Sequence, residues 1–328
     1  MAAWRTEAGG ESNGRLAFGI PGGFPLDTTG VVLLAAILTA FGLLGVYRYV
    51  DNFWLYRGYA PPHDPTWVDN RGTAQTIGVW SPAVHRTQQV IVYLPPGYQA
   101  QPRRRYPVIY LLHGSPGLPN ALLLTVKTGV VEDEFVARHR VRPAIIVMPS
   151  GSPGRFTDTE WANGVGRDAA WETFLARDVV RAIDHRYRTI RSGAARALGG
   201  LSEGGYGALN IGLHHPGEFR VLESWSGYER ADDILSVFGR DPVRLAENSP
   251  AAILPSVARR LRREHAFIWF YSSPTDHMFR QNVAFNRELR RFSVPHHFSV
   301  VSGGHTWRAW RANFPSALLA ASPRLARG

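Results

Sequence analysis

Apolar positions change their spacing along the chain, and each change marks a different kind of structure. Residues 30 to 46, GVVLLAAILTAFGLLGV, carry no charge. With Thr28, Thr29 and Tyr47 the run reaches the roughly 20 residues that cross a hydrocarbon layer. The expectation is a transmembrane anchor over residues 28–47, preceded by an N-terminal tail over 1–27. A cleaved signal sequence is the alternative; the length of the run, its late start and the lack of a small-x-small cleavage site stand against it. Aromatic residues Tyr47, Tyr49, Phe53, Trp54 and Tyr56 follow as an interfacial belt. The Pro-rich GYAPPHDP completes a juxtamembrane linker over 48–66.

From residue 67 onward, short apolar runs alternate with stretches of helical spacing. This is the signature of an α/β fold with a mostly parallel central sheet flanked by helices. QTIGVWS, QQVIVYLP, PVIYLLHG and PAIIVMP are predicted strands, as are ARALGGLS, VLESWSG, AFIWFYSS and HHFSVVSGG. Helices are predicted over 119–137, AWETFLARDVVRAIDHRY, EGGYGALNIGLHHP, FRQNVAFNRELRRF and WRAWRANFPSALLAA. The domain runs over 67–322, with a tail at 323–328. Between Tyr228 and Ala266 a long excursion, near 229–265, occupies the usual place of a substrate-covering cap.

Composition narrows the partners. The formal charge is +11, yet Lys127 is the one lysine, and the arginines are spread without a sustained block. Nucleic acid is therefore not an expected partner; an anionic membrane surface fits better. With no cysteine, disulfides, thiolate catalysis and Cys-based zinc sites are excluded. No cofactor or metal is called for.

The chemistry concentrates at GGLSEGGYGALN, residues 199 to 210. Gly200, Ser202 and Gly204 satisfy G-x-S-x-G between a predicted strand and a predicted helix, the setting of a nucleophile elbow. A glycine-rich turn with an idle serine is the competing reading, and partners decide between them. A serine hydroxyl needs a base and the base an orienting acid, in α/β hydrolases in the chain order Ser, Asp or Glu, His. His305, in a glycine loop after the last strand, is the candidate base. His214, His215, His296 and His297 fall in helix ends or strands, and His277 is a weaker rival. Asp276, after AFIWFYS, is the candidate acid; Glu288, inside the next helix, is the alternative. The oxyanion needs preorganised N–H donors: the backbone amides of Glu203 and Ser115. His113 orders the loop before Ser115, and with Trp307 it is a candidate substrate contact.

These segments resemble the esterase D and antigen 85 branch of α/β hydrolases, which includes feruloyl esterases and mycolyltransferases. VIVYLPPGY, PVIYLLHG, WETFLARDVV, GLSEGGYGALNIGLHHPGEF and GGHTWRAWRANF carry the likeness, over roughly residues 75 to 320. The resemblance implies Ser202 as nucleophile, His305 as base and the Glu203 and Ser115 amides as oxyanion donors. It implies Asp276 as acid on the feruloyl-esterase pattern and Glu288 on the mycolyltransferase one. Mycolyltransferases carry Asp-Gly in the first oxyanion loop, where this chain has His113 and Gly114, so trehalose is not an expected substrate.

The resulting expectation is a membrane-anchored serine carboxylic ester hydrolase. An acyltransferase of mycolyltransferase type and a non-catalytic binding domain are the alternatives. Arg259, Arg260, Arg262 and Arg263 in the excursion offer contacts to lipid phosphates, against a simple solvated helix face. The Glu203 side chain suggests a cationic ester such as an aminoacylated lipid. Arg5 and Arg15 against Arg48 and Arg57 give no decisive inside bias. A single-pass protein of the cell membrane with its catalytic domain on the extracytoplasmic side follows from resemblance to exported relatives.

Overall fold

The computed structural model describes residues 27–327; the tail over 1–27, with Arg5 and Arg15, lies almost wholly outside the described residues, as does Gly328. Contacts divide the chain into two units, Met1–Trp54 and Leu55–Gly328. Helix α1 (Thr28–Tyr56), in the first unit but for its last two residues, buries none of its residues and is long and apolar enough to cross a membrane. It runs nine residues past the apolar stretch, so the aromatic residues expected to follow the helix lie on its last turns, and most of the first half of the expected linker is helical. The stop comes at Arg57 and Gly58, both left-handed, with φ of 53° and 82°. Glycine adopts that conformation without strain and commonly ends helices.

In the second unit, β1 (Thr73–Ser81), β2 (Arg86–Leu94), β3 (Val108–Leu112), β4 (Ile145–Pro149), β5 (Arg196–Leu201), β6 (Val221–Trp225), β7 (Phe267–Ser272) and β8 (His296–Val300) form one sheet. Its order is β1-β2-β4-β3-β5-β6-β7-β8. The β1–β2 and β2–β4 pairs are antiparallel and the rest parallel. Every residue of β3, β4 and β5 is buried, whereas the edge strands β1 and β8 are largely open. That explains the unbroken apolar runs in the centre, where both faces are covered.

The alternating residues of β3 separate the two cores. Val108, Tyr110 and Leu112 join a cluster with α5 (Val180–Arg186), α6 (Glu203–His214), α9 (Pro250–Arg263) and α10 (Phe279–Arg291). Ile109 and Leu111 join the other, with α2 (Asn120–Leu124), α3 (Thr128–Ala137) and α11 (Trp307–Ala321). The helix expected over 119–137 is two, broken before Thr128 where Lys127 has φ 58°. The stretch 171–186 is α4 (Trp171–Thr173), a π-helical segment Phe174–Val179, and α5.

The excursion holds α7 (Leu235–Phe238), α8 (Pro242–Glu247) and α9. Helix α9 packs its buried Ile253, Leu254, Ala258 and Leu261 into the core that α6 and α10 share, so it belongs to the helical layer flanking the sheet. Its four arginines lie on the exposed side, where Arg263 meets Glu264 at 3.6 Å and Arg262 donates to the Phe292 carbonyl.

Candidate active site

The parallel register brings the C-terminal ends of β3, β5, β7 and β8 to one edge of the sheet. Leu112 pairs with Gly200, so the loop that follows β3 lies beside the turn between β5 and α6. At that turn Ser202 has φ 55° and ψ −121°, a conformation that costs a non-glycine residue on the order of 1–3 kcal/mol. Neighbours must be small for the turn to close. A Cβ on Gly204 would stand 2.3 Å from the Leu112 oxygen, and one on Gly200 would stand 2.5 Å from the Gly204 backbone. Backbone bonds hold the elbow, with the Ser202 amide donating to the Trp225 carbonyl at 3.0 Å.

Three of the expected residues meet here. His305 Nε2 lies 2.8 Å from Ser202 Oγ, and its Nδ1 lies 3.1 Å from Asp276 Oδ2. With Nδ1–H donating to the carboxylate, Nε2 is the free base facing the hydroxyl. Burial of the Asp276 side chain would raise its pKa; the hydrogen bond from His305, the Met278 amide at 3.0 Å and the charge of His305 together hold it below the ordinary value. The His305 loop is set by Gly303 and Gly304, both with positive φ, and by Thr306, which caps α11 by accepting from the Ala309 amide. Trp310 packs edge-on against the His305 ring at 5.0 Å.

Glu288 is not part of this constellation: it sits on α10, 3.5 Å from Arg291. His277 contacts the far oxygen of Asp276, at 3.4 Å, and its side chain is 69% exposed. Asp276, His277 and His305 offer ligand atoms within 4.8 Å of one another. An ion held there would take the His305 lone pair from the serine.

Ser115 and Glu203 flank the nucleophile from the two loops, and among the described residues neither amide donates to a protein acceptor. His113 is no substrate contact. It is 3% exposed, donates from Nδ1 to the Gly114 carbonyl at 3.0 Å and accepts from the Gly151 amide at 3.1 Å. Burial lowers its pKa to about 4, so the ring is neutral and orders the loop. Trp307 is half-buried, with its edge toward Trp310 at 5.1 Å.

The Glu203 side chain corrects another expectation. It is 5% exposed and accepts from the Glu160 amide at 2.9 Å, so it offers no charge to a cationic substrate. Burial raises its pKa well above the usual range, and the nearby Glu160 and Asp158 add to the rise. This contact exposes a support that sequence reading missed. Glu160 and Trp161 are consecutive left-handed residues, both with φ 53°. Trp161 Nε1 donates to the His113 carbonyl at 3.0 Å, while the Glu160 amide donates to Glu203. One short segment thus ties together both loops that carry the candidate oxyanion amides, those of Ser115 and Glu203. Burial pushes Glu160 up to about 8, the Asp158 charge adds to this, and the Tyr228 hydroxyl, which donates to its carboxyl, opposes it. A signal was present in Gly207, whose Cβ would stand 2.6 Å from the Trp161 side chain.

A mostly parallel sheet with a strained serine at the β5–α6 turn, and a His-borne loop after the last strand, define an α/β hydrolase. Residues 81–321, well over half of the chain, match the family described as "Putative esterase", and the chain belongs to that family. It is 31% identical to an endo-1,4-beta-xylanase/feruloyl esterase of Xylanibacter ruminicola over 48% of this chain and 22% of that protein. It is 27% identical to an esterase of Mycobacterium tuberculosis over 79% of this chain and 59% of that one. The chain spans between about a fifth and three fifths of the length of these curated relatives. Among solved structures, a ferulic acid esterase superposes with TM-score 0.70 at 24% identity, covering 78% of this chain and all of that one. A fluorophosphonate-binding serine hydrolase of Staphylococcus aureus does so with TM-score 0.65 at 17% identity, covering 77% of this chain and 99% of that one. Both share the fold.

Proposed function

We propose that the chain is a membrane-anchored serine carboxylic ester hydrolase. The observation that carries this reading is the unbroken line of hydrogen bonds from Asp276 through His305 to Ser202, on a strained elbow. His305 Nε2 takes the Ser202 proton as Oγ attacks the ester carbonyl. The tetrahedral oxyanion is stabilised by the Glu203 and Ser115 amides. Collapse breaks the bond to the alkoxy oxygen, which leaves with the proton from His305, and Ser202 holds the acyl group. Water, deprotonated by His305, then releases the acid and restores the serine. Asp276, anionic throughout, fixes the imidazole tautomer and offsets its transient charge.

Helix α1 is the single-pass anchor in this reading, with the catalytic domain on the extracytoplasmic side. Membership in the esterase family supports the activity, and the length and apolarity of α1 support the anchor. A fluorophosphonate should label wild type and not Ser202→Ala; an unlabelled wild type refutes the enzyme reading. Product analysis with added sugar or lipid alcohols separates release to water from transfer of the same acyl group.

A further inference from the structure

The end of the apolar helix is built into the catalytic unit. Leu55 and the residues after it belong to that unit, and the Leu55 carbonyl accepts from Thr125 Oγ1 at 3.0 Å. After the left-handed turn at Arg57 and Gly58, Tyr59 lies under the Arg311 guanidinium at 4.6 Å, and Arg311 donates to the Thr125 carbonyl at 2.7 Å. The Arg57 guanidinium covers the Trp307 ring at 4.9 Å. Trp307 meets Trp310 at 5.1 Å, and Trp310 meets His305 at 5.0 Å. Arg57, just past the helix, and the general base are therefore joined through the packed rings of Trp307 and Trp310.

A second observation lies on the oxyanion side. The Gly117 amide donates to the Arg155 carbonyl at 3.1 Å, tying segment 155–156 to the loop that presents Ser115. Phe156, next in the chain, is 73% exposed, and Ser115 and Pro116 are exposed beside it. An exposed apolar side chain thus follows the segment that is tied to the Ser115 loop. Leu55 follows the apolar run, which ends at Val46, by nine residues, so the tether along the chain is short, about 14 Å at helical rise. The interfacial layer itself is on the order of 5–8 Å thick on each side.

We infer that the catalytic centre takes an amphiphilic ester held in the lipid surface, entering along the wall that residues 55–59 and Trp307 build, in preference to an ester arriving from bulk water. This rests on the esterase reading and on α1 spanning a bilayer. The strap, not the anchor alone, makes the preference, because it fixes the site within a short tether of the surface and raises the effective concentration of embedded ester.

The test uses the full chain in phosphatidylcholine vesicles. Methylumbelliferyl palmitate is placed either in the same vesicles as the protein or in separate ones, with soluble methylumbelliferyl acetate as reference. Turnover of the palmitate should be about tenfold faster, or more, in shared vesicles. A 20-residue Gly-Ser insertion between Asp51 and Asn52 leaves the strap in place but lets the domain wander by about 25 Å. It should cut the shared-vesicle advantage to about twofold, while acetate turnover and fluorophosphonate labelling of Ser202 stay within about twofold of wild type. An advantage that survives the insertion, or is absent from wild type while acetate is still hydrolysed, overturns the inference and leaves the esterase reading standing. Failure of wild type to hydrolyse either ester overturns both. Loss of labelling in the insertion variant would mean the tether is structural, and the wild-type comparison between shared and separate vesicles then decides.

Discussion

Asp276 carries the sharpest residue-level expectation. Asp276→Asn keeps the shape of the side chain but lets the His305 tautomer invert, so kcat/KM should fall by about 10³- to 10⁴-fold with the fold retained, as steady-state kinetics beside circular dichroism would record. Its pKa is depressed in the folded state, so the stability it contributes is present above the ordinary carboxylate range and is lost as pH falls through the folded value. Glu160 has the opposite sign. Its folded pKa of about 8 lies above that of an unfolded glutamate, so the folded state binds the extra proton and stability drops as pH rises from about 4.5 to 8. Glu160→Gln should remove that slope and gain on wild type by on the order of 3 kcal/mol between pH 5 and 8.5, read by denaturant unfolding at each pH. A parallel slope in both proteins would mean that another group titrates.

At the scale of elements, two glycines make different demands. A methyl group on Gly204 meets main-chain oxygens, 2.3 Å from Leu112 and 2.7 Å from His113, which cannot move without opening the β3–β5 pairing. Gly204→Ala should cost about 3 kcal/mol or more and abolish Ser202 labelling. Gly58 has nothing within 4 Å of an added Cβ, only φ of 82°, so Gly58→Ala should cost about 1 kcal/mol in thermal unfolding. The strands and most helices were legible because a buried central strand reads as a continuous apolar run and a flanking helix repeats near 3.6 residues. Ser202, Asp276 and His305 were legible because each follows such a strand. What escaped were properties of backbone handedness: the break at Lys127, the helix end displaced to Arg57, and the Glu160–Trp161 segment. A left-handed non-glycine residue leaves no mark in side-chain pattern. Glu203 was misread because a sequence does not say on which side of a helix start another loop will close.

For the whole molecule, charge and apolarity act in different places. The arginines of α9 are exposed, whereas α1 carries the apolar surface. Salt screens the former and leaves the latter untouched. Full-length protein should therefore stay with phosphatidylcholine vesicles on flotation in about 1 M salt and be released by detergent; release by salt alone would make the association electrostatic. Protease added to intact cells should trim the catalytic unit, Leu55 onward, if it faces outward, and a protected unit would reverse that orientation.

The ring stack at the base gives the molecule an optical reporter. An indole 5.0 Å from an imidazole loses emission when that imidazole becomes cationic, and Trp310 stands at this distance from His305. Of the ten tryptophans, the difference in fluorescence between wild type and Trp310→Phe isolates this one. Followed across pH in the absence of any substrate, that difference spectrum reports on the His305 ring, and its displacement in Asp276→Asn measures the carboxylate's hold on the proton.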